Sequence, residues 1–145
     1  MLRRLAIVAV ACVALSCSPR PIGAVVADAP RAEWQMGEGV ELRYENGDTL
    51  NLRSVGVVAR WEIGRAEREL PLRITAQSPS GVRYDGEVVL LPTERHKGGS
   101  FVEFATEWIE GALLGESGEY VFTLSPATTV RGVWTVGVKI ENNEK

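Results

Sequence analysis

His96 is the only histidine of the chain and sits in the polar stretch Thr93-Glu94-Arg95-His96-Lys97-Gly98-Gly99. As a general base it needs a positioned nucleophile or carboxylate, and as a metal ligand it needs companions. With no second histidine, a histidine-rich metal site is excluded. No Gly-x-Ser-x-Gly elbow accompanies it, so a serine triad has no framework, and Gly98-Gly99 is not followed by the basic residue and helix start of a phosphate loop. His96 is expected to be an exposed loop residue. Glu103, Glu107 and Glu110 come nearest to the paired carboxylates of glycoside hydrolysis. That chemistry needs two carboxylates facing each other across a cleft, whereas three along one segment read as its solvated face. No catalytic residue, metal ligand or cofactor is therefore expected.

Four tryptophans, Trp34, Trp61, Trp108 and Trp134, are the more informative residues. An indole can stack on the apolar face of a sugar ring or anchor a protein contact. Trp108 and Trp134 share alternation faces with other apolar residues and are expected in the core. Trp34 and Trp61, the latter between Arg60 and Glu62, are freer and are the expected surface contacts for a partner or glycan. Arginine outnumbers lysine 13 to 3, and Arg60, Arg65, Arg68 and Arg73 follow one another closely. Glu62, Glu67 and Glu69 interleave them, so this field is mixed: a salt-bridged loop, or an arginine-rich protein contact involving Arg60 and Arg65.

The elements that must position these side chains are short and extended. From Trp34 onward, brief apolar alternations are separated by glycine, proline and asparagine, and no long segment has helical spacing with caps at both ends. The strand candidates are Val40 to Tyr44, Leu50 to Glu62 with a bend or bulge near Gly56, Leu70 to Ala76, Val82 to Tyr84, Glu87 to Leu91, Ser100 to Glu110, Glu119 to Leu124 and Val133 to Glu141. Asp85-Gly86 is expected to be a turn, Glu107 to Leu114 carries a short helix as its alternative, and Gly137 marks a bulge or a close approach by a neighbouring chain. Seven or eight such strands predict an all-β fold, an antiparallel β-sandwich of jelly-roll type, over residues 34–145. The composition, 45% hydrophobic and 24% charged, is that of one globular domain, and a net charge of −3 with a pI near 5.3 argues against nucleic acid as a partner.

The N-terminus carries a different kind of signal. Met1-Leu2-Arg3-Arg4 precedes an apolar run from Leu5 to Leu15, too short to span a bilayer, which needs roughly 20 residues. Cys17 follows Ala14-Leu15-Ser16, which resembles the lipobox of bacterial lipoproteins with its first two preferences reversed. On that reading residues 1–16 are a signal peptide and Cys17 is acylated. Residues 17–33, with Pro19, Pro21 and Pro30, are then a lipid-anchored tether. An ordinary export signal cut after Ala27-Asp28-Ala29 is the alternative. Two or three acyl chains would hold the domain on a membrane without a spanning segment.

The C-terminal strands add a family likeness. Gly118-Glu119-Tyr120-Val121-Phe122-Thr123-Leu124 resembles the Gly-x-Tyr-x-Phe strand of the gliding motility-associated lipoprotein GldH family. Val130-Arg131-Gly132-Val133-Trp134-Thr135-Val136-Gly137-Val138-Lys139-Ile140-Glu141 is similar to that family's ending. The middle of the chain departs from the pattern, lacking its Trp-Leu-Gly-x-Gly element. The resemblance implies a non-catalytic, lipid-anchored envelope protein that docks other envelope proteins of a gliding or secretion assembly, and Ser18-Pro19-Arg20-Pro21 after Cys17, without an acidic cluster, points to a periplasm-facing location. Only Cys17 carries over as a functional position. The alternative is a glycan-binding module on the same anchor.

Overall fold

A computed structural model describes residues 23–93 and 99–143. Its elements are eight strands: β1 (Gly23–Asp28), β2 (Val40–Asn46), β3 (Leu52–Glu62), β4 (Leu70–Gln77), β5 (Arg83–Pro92), β6 (Phe101–Leu113), β7 (Gly118–Pro126) and β8 (Val133–Asn142). They form one antiparallel ribbon in the order β1-β8-β3-β6-β5-β4-β7-β2. The ribbon folds over between β6 and β5, so that β1-β8-β3-β6 faces β2-β7-β4-β5. This is the strand order of a jelly roll, as the alternation predicts.

The fold follows from period-2 burial. Val55, Val57, Ala59 and Trp61 of β3 point inward with Val136, Val138 and Ile140 of β8 and Phe104 of β6. Opposite them stand Leu70, Leu72 and Ile74 of β4, Phe122 and Leu124 of β7, Leu42 of β2, and Val88 and Leu90 of β5. All belong to one hydrophobic cluster. Neither half of the ribbon could hide its apolar face alone.

Three boundaries differ from the sequence expectation. Residues 23–28, assigned to a tether within 17–33, form β1 and pair with β8 from Gly23↔Ile140 to Asp28↔Thr135. No proline falls within 23–28, and the described domain takes in these residues ahead of Trp34. Asp85-Gly86 is not a turn: both residues lie inside β5, opposite Thr75 and Ile74. Residues 107–113 continue β6 as strand rather than helix.

Bulges explain where simple alternation fails. Opposite β3, the register of β6 shifts between Val55 and Gly56 and again between Arg53 and Ser54. The second shift leaves Gly111, with φ of 82°, as the extra residue, a conformation that side chains with a Cβ avoid. Opposite β3, β8 slips between Arg60 and Trp61, leaving Trp134 unpaired there. The bend expected near Gly56 is thus present, but its extra residue, Trp108, belongs to the partner strand.

At one end of the sandwich the guanidinium of Arg53 is buried. It donates to Tyr44 Oη at 3.1 Å and more distantly to Asn46 Oδ1 at 3.4 Å, with Asp48 Oδ2 at 3.8 Å. Asn46 donates from Nδ2 to the carbonyls of Leu114 and Glu116 at 2.9 and 2.8 Å. Together these bonds tie the β2–β3 and β6–β7 connections into one polar cap over the core.

Gly137 has the close neighbour its position in an alternating strand anticipates. A Cβ there would lie 2.9 Å from the carbonyl oxygen of Val25 and 3.1 Å from a methyl of Val26. The obstructing atom is backbone and cannot rotate away. Gly137→Ala is expected to push β1 off β8 and cost about 1–3 kcal/mol, as overpacking does, read as a lower midpoint in urea unfolding. An unchanged midpoint would mean that β1 adds nothing to the fold.

Candidate functional site

Between β5 and β6 the two sheets are joined by Leu91↔Ala105 and Pro92↔Phe104, and past Pro92 the Thr93 N–H donates to the Glu103 carbonyl at 2.8 Å. Beyond that junction the two strands splay, and a cleft of about 420 Å³ opens between the sheets. That size falls within the usual range for small-molecule sites. Val55, Ala76, Ile109, Ala112, Leu114 and Phe122 form its apolar floor, and Tyr84, Trp108, Glu116 and Tyr120 bring aromatic faces and polar groups to it.

Each of these side chains is there for a local reason. Tyr84 pairs with Ala76, whose side chain is buried in the core, so it occupies an inward-facing strand position, yet it is 55% exposed. No strand covers it there. Trp108 is the extra residue of the β6 bulge, and its indole crosses the gap onto β5. A Cβ on Gly86 would meet Trp108 Nε1 at 2.5 Å, so the glycine read as a turn signal is instead the seat of the indole. Tyr120 is buried on β7 with its hydroxyl accepting from the Glu116 N–H at 3.1 Å.

Glu116 fastens the end of the cleft. Its Oε1 accepts from Ser80 N at 2.8 Å, and its Oε2 accepts from Ser80 Oγ at 2.8 Å and Ser78 Oγ at 3.0 Å. These donors, Ser80 first, hold the carboxyl below its ordinary value of 4.5. The β4–β5 and β6–β7 connections are therefore clamped together by one ionised group.

The residues expected at the surface fall elsewhere. Trp34 and Trp61 are corrected from surface contacts to core, at 0% and 1% exposure. Trp34 bridges to Val130 and donates from Nε1 to the Glu38 carbonyl at 2.7 Å. Trp61 stacks at a tilt on Phe104 with centroids 5.2 Å apart and donates to the Arg131 carbonyl at 2.7 Å. Trp108 and Trp134, expected in the core, are only half-buried. Trp134 lies on the outer face 5.6 Å from Phe101, with Arg31 at 4.2 Å over its ring, while Arg60 sits 4.9 Å over Phe101.

Arg65 is exposed in the β3–β4 connection, its aliphatic stem against Gly132. Among the described residues, none of Arg60, Arg65, Arg68 and Arg73 is ion-paired with Glu62, Glu67 or Glu69, so the salt-bridged loop does not form. Glu103, Glu107 and Glu110 pair with Arg60, Gly56 and Ser54 along the outer side of β6 and do not face one another across the cleft. Among the described residues no cluster of three or more His, Cys, Asp or Glu side chains could hold a metal ion. Cys17 and His96 lie outside the described residues.

Tyr84, Glu116 and Tyr120 went unnoticed in the sequence. One available signal was Gly86, a glycine inside an apolar alternation, which marks a close approach as readily as a turn.

The Glu116 clamp has a pH signature. Its folded pKa is depressed, so its contribution is present above the unfolded value of 4.5 and is lost as the pH falls through the folded value. Wild type is expected to melt above Glu116→Gln at neutral pH, with the difference shrinking below pH 4.5. A pH-independent difference in thermal midpoint would show that the charge does not carry the clamp.

No family model matches the chain, and no curated protein matches it. Among solved structures, a carbohydrate-binding module specific for non-crystalline cellulose superposes with a TM-score of 0.42 and 10% identity, covering 82% of this chain and 70% of that one. A family 11 carbohydrate-binding module from Clostridium thermocellum, solved with a β-1,3-1,4-mixed-linked tetrasaccharide, gives 0.37 and 10%, covering 86% of both. Both are β modules, and likeness at this level carries no argument about function.

Proposed function

We propose that this chain is a non-catalytic, lipid-anchored protein of the bacterial cell envelope that binds a glycan chain in the cleft between β5 and β6. One observation supports the binding reading above the rest: Tyr84, inward-facing yet 55% exposed, stands beside Trp108 at the mouth of an aromatic-walled cleft. A buried core position occupied by an uncovered aromatic ring loses packing unless something covers it. A pyranose ring has an apolar C–H face to lay on such rings and a hydroxyl edge for Tyr84 Oη at the rim.

The anchor at Cys17 is supported by the signal-like N-terminus and by where the domain begins. Cleavage after Ala29, the other export reading, would remove β1 from β8 and take Ala29 out of the core. Cleavage before Cys17 leaves the whole fold intact.

A second reading, docking to other envelope proteins in the manner of the GldH family, is favoured by the outer patch of Arg31, Trp134, Phe101 and Arg60. Stacked arginine and aromatic groups of this kind are enriched in protein interfaces. The residues behind that resemblance are less telling, because Tyr120, Phe122, Val136 and Val138 are buried in strands central to their sheets, where packing alone accounts for them.

Titration of the purified domain with a panel of envelope and plant polysaccharides, followed by tryptophan fluorescence, tests the first reading. A saturable shift is expected with at least one of them. By calorimetry, Trp108→Ala should abolish binding, while Tyr84→Ala, losing a stacking contact of about 1 kcal/mol, should weaken it roughly fivefold. A flat response to every glycan would remove the cleft reading and leave the Arg60 patch as the surface to pursue.

A further inference from the structure

β1 runs antiparallel to β8, which runs antiparallel to β3, with Gly23, Ile140 and Val55 at one level. Followed backwards, β1 therefore points from Gly23 towards the end where Leu52 pairs with Leu113. That end lies three residues beyond the Gly23 level, about 10 Å at the rise of a strand.

This end carries an apolar tip. Leu50 is 87% exposed, Leu52 50% and Leu113 55%. The turn that presents Leu50 is firmly built. Asp48 Oδ1 accepts from Leu50 N at 3.0 Å and Asn51 N at 3.1 Å, and Asn51 Nδ2 donates to Asp48 Oδ2 at 2.9 Å. These bonds, that from the Asn51 side chain first, lower the Asp48 carboxyl to about 2. The buried Arg53 guanidinium stands behind it. A rigid, capped turn thus holds its least polar side chain out into solvent.

We infer that this leucine tip rests in the interfacial layer of the bilayer that holds the lipid anchor; the inference depends on acylation of Cys17. Six residue steps separate Cys17 from Gly23, a reach of at most roughly 20 Å. About 10 Å of that is used in passing the tip. An acylated Cys17 is tied to the membrane surface, so the tip can stand no further than about 10 Å from it along this axis. With this end turned to the membrane, the tip meets the lipid ahead of the other exposed apolar residues, Val26 of β1 among them. Glu45, Asp48 and Glu141 stand at the same end. The attraction is therefore apolar and strongest on zwitterionic lipid, with anionic lipid weakening it. The cleft shares Leu113 with the tip, so docking holds the cleft close to the membrane surface.

The processed, lipidated protein provides the test, because cleavage before Cys17 removes Cys12 and acylation consumes the Cys17 thiol, leaving an introduced cysteine unique. Leu50→Cys and, at the opposite end, Ile63→Cys are labelled with an environment-sensitive fluorophore. Each protein is reconstituted into phosphatidylcholine vesicles with and without a lipid-borne quencher. Leu50→Cys is expected to shift to the blue and lose most of its emission to the quencher, while Ile63→Cys keeps its own. A protein that floats with the vesicles but leaves both labels unquenched, or only Ile63→Cys quenched, overturns the docking inference while the anchor stands. A protein that does not float overturns the anchor and the inference together. Leu50 and Ile63 are both exposed, so neither substitution disturbs the core.

Discussion

A single eight-stranded ribbon must fold over one apolar interior, and among the described residues a short seam holds the line of the fold: Leu91↔Ala105, Pro92↔Phe104 and the bond from Thr93 N to the Glu103 carbonyl. Everything else about the molecule is arranged around that narrow seam. Burial of the facing side chains supplies the driving force and is nearly complete between β3, β8, β4 and β7. At the β5–β6 border the backbone does not follow it: from Leu90 back to Arg83 the residues of β5 pair with β4 alone and have no ladder partner on β6. The cleft is where the sheets separate and the side chains that would have been core are left uncovered.

Strand irregularities set which side chains these are. A bulge inserts one residue, and because side chains alternate with period two, one residue moves the alternation to the other face. In β6 this frees Trp108 to lie across the gap against Gly86, and in β8 it puts Trp134 on the outer face beside Phe101. The partner strand is unaffected, so Trp61 keeps its inward place on Phe104. Two indoles reach surfaces where a ligand or a partner can touch them, while the other two close the core.

The polar groups at the leucine-tipped end serve geometry rather than chemistry. Glu116 spends both carboxylate oxygens on Ser78 and Ser80, Asn46 holds the carbonyls of Leu114 and Glu116, and Arg53 backs the turn that exposes Leu50. Connections that would otherwise be mobile are tied to one another next to the cleft. The proposed binding cleft and the proposed leucine tip thus share one end of the domain.

The amino-acid sequence by itself determined the class of fold and most of its strands. Alternation of apolar and polar residues is a local property, and it survives in Leu70 to Gln77, Gly118 to Pro126 and most of Leu52 to Glu62 without knowledge of partners. It also marked Gly137 as a bulge or a close approach, and the structure supplies the neighbour, the Val25 carbonyl. Only the tertiary structure decided the places of the four tryptophans, since a bulge is a property of two strands and leaves no mark in one. It alone decided that Gly86 is a seat for an indole rather than a turn, and that residues 23–28 form β1, because an edge strand is specified by β8, over a hundred residues away. The cleft is the furthest from local information of all: it exists because two strands adjacent in sequence pair over a short seam and then part into opposite sheets.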